Sequence, residues 1–307
     1  MSLNVSALAN FNNEVAGLLL PKIIYTGNTA EYVTVKEGVK YLEPLNLFEV
    51  DLYVQSGYTC ATSASGSATF TQRNLQVCSR QSFDGLCLKD LDTKYLGISS
   101  LGAGSYNETW ELATQYSELL VNQFRKSNET FIWNAVSGSS DACADGLLRI
   151  LSSGSVGSAI TDSAQIVGTT TASLANMDNM IAALSTDVAD RDDLTFFMSV
   201  GKFRQFVADV RSANSYYFDP NSISNRGGVL DMVYPYQNIR VVGTAGITGD
   251  RIVLGPAKQI VIGTDLISDV SEFSLWFDIN SDQLRHRISC KLGVQVAYPE
   301  FWISNNA

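Results

Sequence analysis

Charge is what this sequence has least of. Asp, Glu, Lys and Arg make up 17% of its 307 residues, against roughly 25% in a typical soluble domain. What charge there is leans acidic, with 21 basic residues against 31 acidic ones and a formal net charge of −10. A sequence-independent grip on DNA or RNA needs clustered Lys and Arg to displace counterions. The densest basic stretch is only Arg285-His286-Arg287 with Lys291, so direct nucleic-acid binding is disfavoured. Histidine is nearly absent too: His286 stands alone. The five cysteines (Cys60, Cys78, Cys87, Cys143, Cys290) form no CxxC pair. An odd count at irregular spacing argues against a disulfide framework or a zinc site. The expectation is small buried thiols in a reducing compartment. No basic stretch of a signal peptide follows Met1-Ser2-Leu3-Asn4. The apolar run near it, Ala16 to Leu20, is far shorter than the ~20 residues a membrane helix needs. Asn4, Asn107 and Asn128 open N-x-[ST] sequons, which without a secretion signal read as chance.

Apolar and aromatic residues are present in quantity. Hydrophobic residues make up 45%, with 14 Phe, 13 Tyr and 4 Trp, which excludes a disordered chain. The length suits about two domains or one large one. Ser, Thr, Asn and Gly take the place of charge, and a neutral polar surface suits a chain that packs against copies of itself.

Along the chain, residues 1–44 mix short apolar pieces with Asn, Gly and Pro. A short helix over Asn10–Leu20 would end at Pro21, and Ile23–Tyr25 and Tyr32–Val35 read as extended. This stretch predicts an arm laid over something else. Phe48, Val50, Leu52 and Val54 then alternate with polar residues, the period of a strand. After the small polar run Thr59–Ser67, Phe70, Leu75 and Val77 mark a second strand. Together they predict a long hairpin with a flexible tip. Residues 105–137 predict a long helix capped by Ser105 or Asn107, with Glu108 and Glu111 in its first turn and Trp110, Ala113, Leu120, Val121 and Phe124 at helical spacing. Residues 137–173 loosen into Ser, Gly and Thr. Next come two helices around a strand: a stripe of Leu174, Met177, Ile181 and Leu184, the strand Leu194–Met198, and a helix capped by Ser199 with Phe203, Phe206, Val207 and Val210 as its stripe. A polar loop over 213–230 leads to short strands at Ile239–Val242, Arg251–Leu254, Gln259–Ile262 and Phe273–Phe277. A last long strand runs from Leu284 to Ala297, with Leu284, His286, Ile288, Cys290, Leu292, Val294 and Val296 on one face.

No active site assembles from these residues. A Ser-His-Asp or Cys-His enzyme would have to use His286, which sits between Arg285 and Arg287 with no G-x-S-x-G elbow to support it. The flanking arginines disfavour its protonated form, and a packed structural histidine is the expectation. Gly243–Gly249 is not G-x-G-x-x-G and precedes a strand, and Leu101–Ser105 lacks the P-loop lysine; both read as turns. Asp187, Asp190, Asp192 and Asp193 lack EF-hand spacing and read as a solvated loop. No catalytic, cofactor-binding or metal-ligating residue is assigned.

In order, these elements resemble the HK97-fold major capsid protein of tailed double-stranded DNA bacteriophages. Three stretches carry the resemblance. Leu194–Val210, LTFFMSVGKFRQFVADV, resembles the strand-then-helix unit of that family's axial domain. Tyr234–Thr244, YPYQNIRVVGT, resembles the segment leading into a strand of the same domain. Leu284–Ile303, LRHRISCKLGVQVAYPEFWI, resembles the C-terminal strand of the peripheral domain.

The resemblance implies an α+β, HK97-like capsid fold. It divides the chain into an N-terminal arm (1–44), an extended hairpin or E-loop (45–96), a peripheral domain with the spine helix (97–168 plus 269–307) and an axial domain (169–268). It implies a non-enzymatic subunit that forms hexamers and pentamers of itself, and so an icosahedral shell in the virion, assembled in the host cytoplasm. The shell would enclose double-stranded DNA without sequence-specific binding and without a membrane, consistent with its acidity. Partners would be a portal protein, a separate scaffolding protein and a cement or decoration protein. Since the hairpin opens at Leu45, no long scaffolding segment fits before it. No lysine lies between Lys40 and Lys89, so the hairpin tip cannot supply the amine by which some family members crosslink. The alternatives are the shell of an encapsulin compartment and, in a different class, a hydrolase built on 169–268.

Overall fold

The computed structural model describes residues 29–52, 66–87, 108–139, 142–153, 165–167, 173–213, 224–226, 229–235, 237–265, 274–278, 281 and 283–305. Over these the chain is mixed α and β. The strands are β1 (Thr34–Lys36), β2 (Leu42–Leu52), β3 (Gly66–Gln76), β4 (Cys78–Cys87), β5 (Gln165–Val167), β6 (Leu194–Ser199), β7 (Ser224–Arg226), β8 (Val229–Val233), β9 (Arg240–Thr244), β10 (Ile252–Pro256), β11 (Ile260–Thr264), β12 (Ser274–Asp278), β13 (Gln283–Val296) and β14 (Ile303–Asn305). The helices are α1 (Glu108–Asn134), α2 (Leu147–Ser153), α3 (Ser173–Ala182), α4 (Thr186–Ala189) and α5 (Val200–Ala213).

Strand β13 organises the first sheet. Its first part is flanked by β12 and β4, its last residues pair with β11, and β11 pairs in parallel with β1. The period of two written in its sequence is obeyed. His286, Ile288, Cys290, Leu292, Val294 and Val296 are all buried, while Arg285, Arg287, Ser289 and Lys291 are not. The buried face meets α1, whose Phe131, Ile132 and Trp133 share a core with Leu292, Val294 and Val296. The 27 residues of α1 extend about 40 Å at 1.5 Å per residue.

The second sheet runs β5-β14-β10-β6-β9-β8-β7. Its centre is β6, LTFFMS, buried on both faces as a run with no polar alternation should be. Phe197 points into the core shared with Trp133 and Trp302, while Phe196 and Met198 face α3 and α5 through Met177, Met180, Phe203 and Phe206. Helix α5 carries the crossover from β6 to its parallel neighbour β9. Ser199 caps α5 as expected, its Oγ accepting from the Lys202 amide at 3.3 Å.

Four departures from the sequence reading have physical causes. Helix α2 lies in a stretch that reads as loose, because its seven residues make only about two turns, too short for a helical period to stand out among the surrounding Ser and Gly. Strands β5, β7 and β14 are three residues each, too short for a period, and β8 begins inside the expected polar loop. Residues 29–36 strap the chain's own body: Thr29 is fully buried, Tyr32 and Val33 pack on the core, and β1 extends the first sheet. The cysteine expectation is also corrected. Cys78 and Cys143, 65 residues apart, are disulfide-bonded with Cα atoms 5.7 Å apart. Spacing along the chain carries no information about a bridge closed by the fold, since β4 brings Cys78 beneath the loop that follows α1. Cys290 is the buried free thiol expected, and burial pushes it up to about 11.

Candidate assembly surface

Among the described residues the most exposed apolar surface belongs to the hairpin of β2 and β3. The two strands pair over their whole length, from Leu42 opposite Gln76 to Leu52 opposite Gly66. Alternation gives the hairpin two different faces. On one, Leu45, Leu47, Arg73 and Leu75 turn toward the body, with Leu75 fully buried and Leu47 nearly so. On the other, Phe48, Val50, Leu52 and Phe70 stand 52%, 54%, 78% and 75% exposed. Phe48 lies directly opposite Phe70, and their rings are 4.4 Å apart between centroids. The two strands pair throughout, so these side chains are fixed in direction, and among the described residues nothing covers their outer surface.

The base is built to hold the hairpin rigidly. Gly263 of β11 and Gly293 of β13 are direct cross-strand partners, and Leu75–Val77 crosses above them. A Cβ on Gly293 would lie 2.1 Å from the Gln76 carbonyl oxygen, and one on Gly263 would lie 2.9 Å from Leu75 Cδ2. The missing side chains therefore form the seat. Around it Arg73 Nη1 donates to the Val296 carbonyl at 3.2 Å, Gln295 Nε2 to the Asn74 carbonyl at 2.9 Å, and the Val77 amide to the Tyr41 carbonyl at 2.8 Å.

A second constellation lies under the strap. Glu129 on α1 is 5% exposed. Its Oε1 accepts from the Thr29 amide at 3.2 Å and its Oε2 from Thr29 Oγ1 at 2.8 Å, with Thr244 Oγ1 at 3.5 Å. Trp133 Nε1 donates to Thr29 Oγ1 at 2.7 Å. One carboxyl thus joins the strap, α1 and the end of β9. Burial pushes its pKa above the usual carboxylate range, against the hydrogen bonds from Thr29 and the nearby Arg125 charge. The folded chain therefore holds the proton more tightly than the unfolded chain. The stability this gives is complete below the unperturbed value of about 4.3 and is lost as pH rises through the raised folded value. We expect the melting temperature of the native chain to fall relative to that of Glu129→Gln as pH rises from 4 toward 7. Each kcal/mol is worth roughly 2–4 °C at this size. Parallel melting curves for the two proteins would show that Glu129 carries no such linkage. No sequence signal marks this residue, because Glu in a helix reads as a surface residue.

The residues singled out in the sequence fall elsewhere. His286 is 2% exposed, with Nε2 3.3 Å from Ser82 Oγ. Its pKa is lowered, by burial first, with Asp84 opposing. The flanking arginines are not the cause, since strand alternation turns them to the other face. Asp187, Asp190 and Asp192 are exposed, while Asp193 is held low by a two-bond pair with Arg191 at 2.9 Å. Gly246 sits where a Cβ would meet Trp133 and the Glu129 backbone, and Gly249 has φ +79°, so that stretch is a close-packed turn. The hairpin tip at 53–65, the Gly-rich stretch at 101–105 and the helix caps at 105 and 107 lie outside the described residues. Among the described residues no three His, Cys, Asp or Glu side chains converge as a metal site, and no helix is long and apolar enough to cross a membrane.

No family model and no curated protein sequence matches this chain. Solved structures do. The chain superposes on a subunit from the capsid of an empty GTA particle with a TM-score of 0.58 at 10% identity, over 91% of this chain and 89% of that one. It superposes on a chain of Mycobacterium phage Cain with a TM-score of 0.53 at 10% identity, over 88% and 84%. It also superposes on a chain of the satellite phage P4 procapsid, a structure that includes a size determination protein, with a TM-score of 0.53 at 11% identity, over 99% and 98%. The likeness is one of fold, and it spans nearly the whole of both chains.

Proposed function

We propose that this chain is the major capsid protein of a tailed double-stranded DNA phage, the repeating subunit of an icosahedral shell. The observation that carries the reading is the rigid hairpin with Phe48, Val50, Leu52 and Phe70 exposed on one face, on a chain whose fold is that of phage capsid subunits. An apolar face held out on a fully paired ladder gains nothing for a monomer. Laid on a second copy it removes apolar area from water at about 25 cal/mol per Å², once per subunit around each hexamer and pentamer.

In this reading residues 1–44 are the arm and 45–96 the E-loop segment. Residues 97–168 with 269–307 form the peripheral domain around the spine helix α1, and 169–268 the axial domain. Strands are exchanged between these parts: β4 joins the sheet of β13, and β14 joins the sheet of β6. The net charge of −10 keeps the shell from gripping DNA, which is packaged through a portal. A separate scaffolding protein guides assembly in the host cytoplasm, and a decoration protein or simple interlocking strengthens the shell. The proposed function needs no catalytic residue, metal or cofactor.

The test is expression with the scaffolding protein, followed by electron microscopy and denaturing gels. Closed shells are expected, and mature particles boiled with reductant should release single 33.4 kDa chains, since no lysine lies between Lys40 and Lys89. Monomers alone at high concentration would overturn the shell, and a ladder of covalent multimers would overturn its non-covalent closure. Enzyme cargo in place of DNA in native particles would favour a cellular compartment.

A further inference from the structure

We propose that Cys78 and Cys143 form a reversible thiol–disulfide lock on the hairpin, closed by small anionic disulfides that enter the cavity beside it. The position of the pair comes first. Cys78 is the first residue of β4 and follows Val77, whose backbone lies over Gly293. It is the point where the hairpin ends and the sheet of β13 begins. Cys143 belongs to the loop after α1. That loop is tied to the helix end by the Gly146 amide on the Ala135 carbonyl at 2.9 Å and by the Ser137 amide on Asp145 Oδ1 at 2.8 Å. The bond therefore fastens the pivot of the hairpin to a rigid support.

Access comes next. Both cysteines line an open cavity of about 620 Å³ between β4 and α1. Among the described residues Arg80 is its one charged lining residue, with its guanidinium donating to Ser127 and to Asn128 Oδ1, and Gln81, Ser82, Gln123 and Ser127 supply polar walls. Such a space admits a molecule of tripeptide size and favours one carrying carboxylates. Cys78 is 4% exposed, and the Cys143 amide donates to its Sγ at 3.2 Å in the closed bond. Cys143 is exposed, so its sulfur is the one an incoming disulfide reaches first, attacking as the thiolate. The exchange balances without another reagent. Cys143 gives up its proton and its thiolate attacks a disulfide RSSR, forming Cys143–S–SR and expelling RS⁻, which takes up a proton as RSH. Cys78 then gives up its proton and attacks Cys143 Sγ, expelling the second RS⁻, which is protonated in turn, and leaving the protein disulfide.

Timing gives the lock a use, and this part rests on the shell reading. Cellular thiols keep cysteines reduced during synthesis, so while subunits meet the hairpin root is held by its glycine seat and hydrogen bonds alone. Release into an oxidising medium then fixes the angle it has taken. The reduced chain still pairs β4 with β13 and keeps the Val77 amide on Tyr41, so reduction loosens the root without unfolding the body.

The experiment uses the full chain with a reduced and oxidised glutathione series. Alkylation under denaturing conditions with peptide mapping reads the thiols, and hydrogen exchange reads the amides of β3 and the start of β4. Oxidised glutathione is expected to remove Cys78 and Cys143 together from the alkylated pool and leave Cys290 in it. Root amides should exchange about tenfold more slowly in the oxidised chain, as for a segment whose opening has been restricted. Cys143→Ser, a change at an exposed position, should match the reduced chain under every condition. Assembled native particles should come apart at lower temperature in reductant, and Cys143→Ser particles should show no such shift. The lock is overturned if both cysteines stay alkylatable in oxidised glutathione, or if exchange at the root is the same in both states. A chain that never forms particles would count against the shell, while the exchange measurement on the soluble chain still decides the lock.

Discussion

Replacing Phe48 and Phe70 together by Ser should leave a folded, soluble subunit and abolish shells. Both rings are more than half exposed, so the subunit loses chiefly their mutual contact, worth about 0.5–1.5 kcal/mol. Assembly loses much more. Burying one such side chain contributes about 1.5–3 kcal/mol, so two per contact amount to a factor of roughly 10² to 10⁴ in each association constant. A closed ring repeats the loss at every subunit. Deleting Thr62–Ser67 at the tip should act the same way, because a small polar segment gives little burial to its own subunit. Leu75→Ala is the contrasting change. Leu75 is fully buried on the other face of the same hairpin, and its truncation should cost the subunit about 2–5 kcal/mol. Thermal melts by circular dichroism and particle counts by electron microscopy separate the outcomes. Shells at normal yield from the double variant would show that this face meets no neighbour. Unfolded subunits would place it in the core of its own chain.

Gly293→Val should be the most damaging single change in the body. Its Cβ would fall 2.1 Å from the Gln76 carbonyl oxygen, 2.8 Å from the Gln76 carbonyl carbon and 2.9 Å from Val77 Cα. All three are backbone atoms, so no rotamer relieves the clash and the strand above must lift. Lifting it breaks the Arg73–Val296 and Gln295–Asn74 hydrogen bonds, each worth about 1–3 kcal/mol once a buried group is left unsatisfied. Overpacking adds about 1–3 kcal/mol. The sum, roughly 3–9 kcal/mol, should lower the melting temperature by about 6 °C or more and open the hairpin base to protease. Gly201→Ala in α5 is the control. The nearest atom to its new Cβ is Ser199 Oγ at 3.9 Å, and alanine in a helix should be neutral or stabilising by up to about 1 kcal/mol. A Gly293→Val melt within about 1 kcal/mol of the native chain would mean that the hairpin does not rest on the glycine pair.

Much of the secondary structure was legible because its cause is local. The alternation from Leu284 to Val296, the stripe of α5 behind Ser199 and the uninterrupted apolar run of β6 each write their periodicity into a few consecutive residues. The two strands of the hairpin were legible for the same reason. The sequence order of these elements also pointed to the capsid fold that the structural likenesses support. Other features depend on residues far apart in the chain, and only the tertiary structure decided them. Nothing near Gly293 announces that Gln76 will lie across it, because the two meet only when β3 crosses the sheet. Glu129 reads as a helix-surface residue until the strap brings Thr29 over it, 100 positions away. The sequence makes His286 a packed histidine and points to its flanking arginines as what disfavours its charge; it is buried, and burial is what lowers its pKa, while Arg285 and Arg287 point to the other face. The Cys78–Cys143 bridge follows the same rule. Periodicity fixes what each segment becomes, since it reflects hydrogen bonds and side-chain directions within a few residues. Contact between segments depends on how the whole core closes, and that arrangement placed the disulfide beside an open cavity and the four exposed apolar side chains on the free face of a rigid hairpin.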